Sequence, residues 1–405
     1  MKRFLVIILL SFVSVLSSTA QNTSIQQMIE SISADSLQKN VQELESYPSR
    51  FLFSDYGRDV AFYLKERMQG YGFEVVIDSF YLEDFYYLRS VPMNSGWLYN
   101  VLCLKRGTTA VDTSLFFGAH YDCISTNEEG FTDFEHYAPG ADDNASGVAT
   151  LLELARVWNE YDISSRYNLR IEFYAGEELG LLGSNDRMHK LASPWTMKVL
   201  GMINLDMVGY NETDTISINY YENSDEYTNK AIENTRLYTD LTPKLTDEYI
   251  NASDSWNFYI WGLKTVFLTE NDFSPYYHTL QDSSKYLDFD YMKKICAVAF
   301  SLACDFAKAE GNSVALAEIE RNESDIIDFC QTDRYLRFQT FENSDKSQLI
   351  IVDNMGRLRI NTPLSTFVVG ENAYQVDISH LGDGFYNLLI TSSQKRINKK
   401  FILVR

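Results

Sequence analysis

Two adjacent carboxylates, Glu177 and Glu178, stand in the string FYAGEELGLLGS, directly after the apolar run from Asn168 to Phe173. On an exposed helix face such a pair is simply solvated. At the end of a buried strand it lies where open α/β sheets bind ligands, and an unpaired charge is too costly to bury there. One of the two can bind a metal while the other handles a proton. Other runs end in similar residues. His120 and Asp122 follow LFFGA, Asp206 follows MINL, Asp142 and Asp143 precede a helical run in PGADDNASG, and PYYHTLQD supplies His278 and Asp282. Gathered at one sheet edge, they make a nitrogen- and oxygen-rich cluster without thiols, which suits zinc or a neighbouring divalent metal. Two His and three carboxylates exceed the three protein ligands of a usual catalytic zinc. They fit two metals about 3.5–4 Å apart that share a bridging carboxylate and a water acidified to near neutral pH. A carboxylate beside the ligands can take the water's proton and pass it to a leaving amine, and Glu177 is placed for this.

These residues need a scaffold of alternating strands and helices. Residues 24–70 read as helical on either side of SYPSRFLFSDYGRD, and Phe73–Phe80 reads as a strand. Further strand-like runs are Leu98–Leu104, Leu115–Ala119, Leu169–Tyr174, Val199–Leu205 and Thr265–Leu268; Gly147–Trp158 and Tyr291–Lys308 read as helices. The alternation predicts a three-layer αβα sandwich with a mixed sheet over residues 21–310. A polar linker is expected at 311–332. After it the pattern changes to short strands (Leu349–Val352, Leu358–Ile360, Phe367–Val369, Tyr374–Ile378, Tyr386–Thr391, Lys399–Val404), with turns at Asp353–Gly356 and Leu381–Gly384. That predicts a small all-β sandwich over 333–405.

At 405 residues the chain is long enough for two or three domains. A formal net charge of −21 argues against nucleic-acid binding and mildly favours cationic substrates such as free amines. Lys2 and Arg3, the apolar stretch Phe4–Leu16 and the small residues Ser18-Thr19-Ala20 read as a signal peptide over 1–20, with a mature chain from Gln21. The apolar stretch is too short for a convincing membrane span, and no later one qualifies, so no transmembrane segment is expected in the mature chain. The five cysteines include no CxxC pair and imply neither a disulfide framework nor a thiolate zinc site.

Over about residues 35–310 the sequence resembles metallopeptidase family twenty-eight, the co-catalytic zinc aminopeptidases. The likeness rests on GAHYD, PGADDNASG, AGEELGLLGS, INLDMVG and YYHTLQD, all present in the family's order. It implies two zinc ions, with cobalt or manganese as substitutes, and peptide substrates with a free N-terminus. His120 and Asp206 would hold one metal, Glu178 and His278 the second, and Asp143 would bridge them. Glu177 would be general base and then acid, and Asp122 would orient the His120 ring. A cis peptide is implied at Asp142–Asp143. In SDSWNF the family often carries Ser-Asp-His, so Ser255 is expected to alter the pocket lining. The C-terminal segment resembles the sorting domain of the type IX secretion system of Bacteroidetes, on VDNMGRLRI, VDISHLGDGFYNLLI and KKFILVR. That implies passage through the type IX machinery to the medium or the outer-membrane surface of a Gram-negative bacterium.

Tyr276, Tyr277 and Glu270 are further candidates for the substrate pocket: the tyrosines for oxyanion stabilisation or pocket lining, Glu270 for a substrate amine. Packing is the plain alternative for the tyrosines, and a solvated loop end for Glu270. His136, in the loop before the aspartates, reads as a surface residue with a place at the pocket border as its alternative; His189 and His380 read as surface residues. Two other functions share these features: a single-zinc glutaminyl cyclase on the same fold, and a secreted binding protein without catalysis. The aspartate pair and the Gly-Leu-Leu-Gly-Ser after Glu178 favour the peptidase over the cyclase. Retention of every ligand and the base disfavours the binding protein.

Overall fold

The structure, a computed structural model, describes residues 25–87, 91–92, 95–109, 112–125, 137–192, 197–310, 327–331, 334–340, 346–353, 357–370, 373–382, 384–391 and 396–403. The leader expected at 1–20, His136 and turn residues 354–356 and 383 lie outside them. Two compact units divide between residues 313 and 314.

The first unit is built on an eight-stranded sheet. Its strands are β1 (Glu74–Leu82), β2 (Gly96–Lys105), β3 (Thr113–His120), β4 (Asn168–Tyr174), β5 (Lys198–Leu205), β6 (Thr215–Tyr220), β7 (Thr242–Thr246) and β8 (Thr265–Glu270). In space they run β1-β2-β4-β3-β5-β8-β6-β7. The centre, β4-β3-β5-β8, is parallel, while β1, β2 and β6 join through antiparallel pairings. The central strands are covered on both faces, which is why they read as near-continuous apolar runs. Side chains alternate across the sheet. Leu115, Phe117 and Ala119 of β3 join the main core with Met28 of α1 (residues 25–30), Leu37 and Val41 of α2 (Ala34–Glu45), Leu151 of α4 (Gly147–Glu160) and Val298 of α8 (Phe289–Ala307). Phe116 faces the opposite way, into a smaller core with Met188 of α5 (Leu182–Ala192) and Phe258 of α7 (Ser255–Ile260). A large apolar side chain gains roughly 1.5–3 kcal/mol on burial. A one-residue slip of β3 would turn every one of these side chains to the wrong face, so its register is fixed.

The sandwich is as expected, and α3 (Gly57–Gly70) is the helical stretch read after SYPSRFLFSDYGRD; the elements the periodicity had not separated are β6, α6 (Asp225–Tyr238), β7, α5 and α7. The thiols of Cys103, Cys123, Cys296 and Cys304 are free and buried. Among the described residues no helix is long and apolar enough to cross a membrane.

The second unit has two four-stranded antiparallel sheets. One has β9 (Ile327–Gln331), β10 (Tyr335–Gln339), β13 (Val368–Gly370) and β14 (Ala373–Asp377), in the order β9-β10-β14-β13. The other has β11 (Gln348–Asp353), β12 (Leu358–Pro363), β15 (Gly384–Thr391) and β16 (Arg396–Leu403), in the order β12-β11-β15-β16. Leu336, Phe338, Leu349, Ile351, Val376, Leu388 and Leu403 share one core. Strand β9 lies inside the stretch expected as linker, because its ladder to β10 supplies the backbone partners that a polar sequence alone does not announce.

Candidate metal centre

The cluster lies at the C-terminal ends of the parallel strands, the edge at which open α/β sheets bind ligands. His120 ends β3, Glu177 and Glu178 follow β4, Asp206 follows β5, and His278 lies in the loop after β8. Asp143 comes from the turn Ala141–Ser146 that opens α4. His120 Nε2 is 3.1 Å from Asp206 Oδ1 and 3.2 Å from Asp143 Oδ1. His278, whose backbone is left-handed (φ 54°), brings its Nε2 to 3.1 Å from Asp143 Oδ2 and 2.8 Å from Glu178 Oε2. Each oxygen of Asp143 therefore serves a different imidazole. Glu177 Oε2 stands back, 4.0 Å from His120 Nε2.

The four carboxylates and His120 are thus nearly sealed from solvent, and His278 is partly buried. Among the described residues no Lys or Arg makes an ion pair with Asp143, Glu177, Glu178 or Asp206. Without a metal, protons must do the compensating. Burial opposes charge on His278, but Glu178 and Asp143 outweigh it and hold its pKa up at about 10. His120 is likewise raised, with Asp206 and Glu177 overcoming burial. Glu177 is pushed well up, by burial first and by Asp206 and Glu178 beyond what His120 offsets. Asp143 is driven down by the two imidazoles despite its burial. A set of nitrogen and carboxylate donors that must borrow protons from one another is the donor set of divalent metals. Two triads have the required closeness, His120–Glu177–Asp206 and His120–Asp143–Glu178. The residues present fit divalent metal.

Backbone contacts hold the donors. Asp122, expected to orient the His120 ring, has its backbone carbonyl 3.1 Å and its Oδ1 3.6 Å from Nδ1. Its carboxylate also accepts the amides of Glu177 and Glu178 at 3.1 and 3.3 Å. Asp282 does the same for Asp142 and Asp143, at 2.9 and 3.1 Å. Ser253 Oγ donates to Asp206 Oδ2 at 2.7 Å and is itself held by Asn204. Neither Ser253 nor Asn204 was singled out in the sequence; only the neighbouring SDS string gave a sign. The cis peptide is Asp143–Asn144, not Asp142–Asp143. Its Asn144 ties the turn to β5 by donating to Leu205 O at 3.0 Å.

The pocket candidates separate. The Tyr277 ring stacks on His278 at 3.7 Å between centroids. Burial, and then Asp143, Glu178 and Glu177, push its phenol far up, so a neutral hydroxyl sits in the field of the cluster. Tyr276 turns away and stacks on Tyr286. Glu270 is neither a solvated loop end nor one of the groups around the two imidazoles. It is buried, accepts the amides of Tyr210 and Ser274 at 2.7 and 3.1 Å, and hydrogen-bonds Asp142. Burial first, and then Asp142, raise its pKa. Ser255 does not line an open pocket either; it is fully buried with its hydroxyl 2.8 Å from that of Tyr221.

Known proteins share the sequence pattern and the fold of the first unit. The leucine aminopeptidase 1 of Paracoccidioides brasiliensis strain Pb18 is 26% identical over 318 residues, covering 74% of this chain and 77% of the relative. The Arthroderma gypseum leucine aminopeptidase 1 is 26% identical over 315 residues, covering 70% and 77%. Among solved structures, the Legionella pneumophila LapA aminopeptidase superposes with a TM-score of 0.59 at 21% identity, over 70% of this chain and 75% of that one. A Bacteroides thetaiotaomicron glutaminyl cyclase bound to N-acetylhistamine gives 0.55 at 20%, over 67% and 97%. The fold alone therefore does not separate the two chemistries. The profile of a secretion system C-terminal sorting domain matches residues 334–404, which form most of the second unit. The profile of peptidase family M28 matches residues 100–303, the segment that carries every donor described above, and the chain belongs to that family.

Proposed function

We propose that the protein is a secreted two-zinc aminopeptidase that hydrolyses N-terminal peptide bonds. The observation that carries this reading is Asp143, whose two oxygens each face a different imidazole. His120 and Asp206 would hold one ion, His278 and Glu178 the other, and Asp143 both. Bound there, two zinc ions would supply Lewis acidity toward the scissile carbonyl and acidify the attacking water. Glu177 is the donor left outside these pairings, and burial makes it a better base than a solvated carboxylate. It takes a proton as the water oxygen bonds to the carbonyl carbon, and returns it to the amide nitrogen as the C–N bond breaks. The neutral Tyr277 hydroxyl is suited to donate to the developing oxyanion. The Asp122 carboxylate keeps the Glu177-Glu178 backbone in place for these roles.

The aminopeptidase names of the curated relatives support this specificity. The expected leader and the sorting domain together support export by type IX secretion to the medium or the cell surface. A glutaminyl cyclase needs a single zinc, and the intact His120–Asp206 side argues for two ions.

Metal analysis with mass spectrometry of the products from a peptide mixture tests the proposal. Two zinc ions per chain, and loss of single N-terminal residues that a chelator abolishes, are expected. One ion at full activity, with ammonia lost from N-terminal glutamine and no peptide bond cut, would replace it by the cyclase. Trimming from the C-terminus would refute the aminopeptidase specificity.

A further inference from the structure

The string SYPSRFLFSDYGRD has no part in the chemistry above, yet it places Arg50 in the interior with no exposed surface. Among the described residues no carboxylate pairs with it; its guanidinium is spent on four backbone carbonyls. Nε donates to Tyr121 O at 2.8 Å, Nη1 to Leu44 O at 3.1 Å and Pro139 O at 2.7 Å, and Nη2 to Gly140 O at 2.6 Å. Tyr121 directly follows His120. Gly140 directly precedes the turn that carries Asp143. Leu44 lies in the last turn of α2, where carbonyls lack helical partners. One planar fork thus spans the segment after one donor, the segment before another, and a helix end.

The fit is close. Gly140 has φ +54°, and a Cβ there would lie 2.6 Å from Arg50 Nη2, 2.4 Å from Cys123 Cβ and 2.7 Å from Asp143 O. The backbone of Pro48 joins the same brace by accepting from Ala138 N at 3.0 Å. A lysine would keep the charge, but it lacks the rigid five-donor fork needed to hold these carbonyls at fixed spacing.

We propose that Arg50 is a positioning residue of the metal centre: through Tyr121 and Gly140 it sets the His120–Asp143 separation at which a bridging carboxylate can act. This rests on the two-metal reading. Groups that act through ligands in this way are typically worth about 10–100-fold in metal affinity or activity.

The test uses the mature full-length protein. Zinc affinity is read by chelator competition, site geometry by the absorption spectrum of the cobalt-loaded protein, and stability by thermal unfolding without metal. R50K should lose about tenfold or more in affinity for at least one ion and change the cobalt spectrum. W158F, a core substitution at the far end of α4, serves as the stability control. R50K with wild-type affinity and spectrum overturns the proposal. So does a W158F protein that loses as much affinity for the same fall in melting temperature. If R50K does not fold, hydrogen exchange of the wild type decides. Removing the metal should speed exchange at 44–52 as well as at 138–146, because coupling is reciprocal; unchanged exchange at 44–52 overturns the proposal. A wild-type chain that takes up no metal refutes the two-metal reading itself, and this inference with it.

Discussion

Glu177 and Glu178 are neighbours in sequence with different surroundings. Glu178 reaches His278 at 2.8 Å, whereas Glu177 stays 4.0 Å from His120 and makes no ion pair as short. If the proton traffic runs through Glu177, Glu177→Gln should keep both metals by metal analysis and lower kcat by about 10²–10⁴-fold, the usual worth of a general base. A mutant with near wild-type turnover would remove Glu177 from the role. The place of the pair in a buried cluster was legible because a buried strand leads straight into it, where two carboxylates need partners. What each neighbouring residue touches was not legible. Asp122 was assigned to the imidazole, which its backbone carbonyl meets at 3.1 Å, and its carboxylate in addition holds two amides. Glu270 was read as a contact for a substrate amine, or else a solvated loop end, and its carboxylate faces inward to amides and Asp142. In both cases the deciding partner is a backbone N–H from a distant segment, which no side-chain pattern encodes.

The donors sit on five separate segments, so the elements must hold like charges together before any metal arrives. Asp282 binds the turn at Asp143, Asn144 binds that turn to β5, and Ser253 binds Asp206. The metal-free protein then depends on shared protons. With His278 held at about 10 against its usual 6.5, the folded chain binds more protons than the unfolded one. Stability from this source is full below about pH 6.5 and is lost as pH rises through about 10. His120 and the raised carboxyl groups of Glu177 and Glu178 act with the same sign. The melting temperature of chelator-treated protein should therefore fall across this window. The zinc-loaded protein, whose ligands are already deprotonated, should lack the decline. A metal-free profile that is flat or rises refutes the shared-proton account. The strands carrying these donors could be read from sequence because they are apolar on both faces. β6, α6 and β7 could not. Their stretch alternates threonines, asparagines and charged residues with few apolar ones, and β7 is an exposed edge defined by its ladder to β6.

At the scale of the whole molecule the two units have separate interiors. The main core draws its buried residues from Ile25 to Ala307, and the second from Leu336 to Leu403. The change from long buried runs to short alternating strands made this division readable in the sequence; the exact join was less so, since β9 begins within the expected linker. Every proposed donor lies between His120 and His278, in the first unit. That unit closes on itself late, where Ala309–Glu310 pairs with Ser164–Ser165, so a cut must fall beyond Glu310 to leave the pairing whole. A chain spanning 21–313 keeps the eight-stranded sheet, its helices and that last pairing, and loses only residues whose core is elsewhere. It should fold cooperatively, bind the same number of metal ions as the longer chain and show a kcat/KM within about twofold of it, because the cut falls between two compact units with separate cores. The matching loss should be in export: the shortened chain should stay within the cell envelope while the one that keeps the second unit reaches the medium or the surface. Comparing kinetics, metal content and location of the two forms separates the roles, and a 21–313 chain that unfolds or loses its metals would show that the second unit belongs to the enzyme and not only to its delivery.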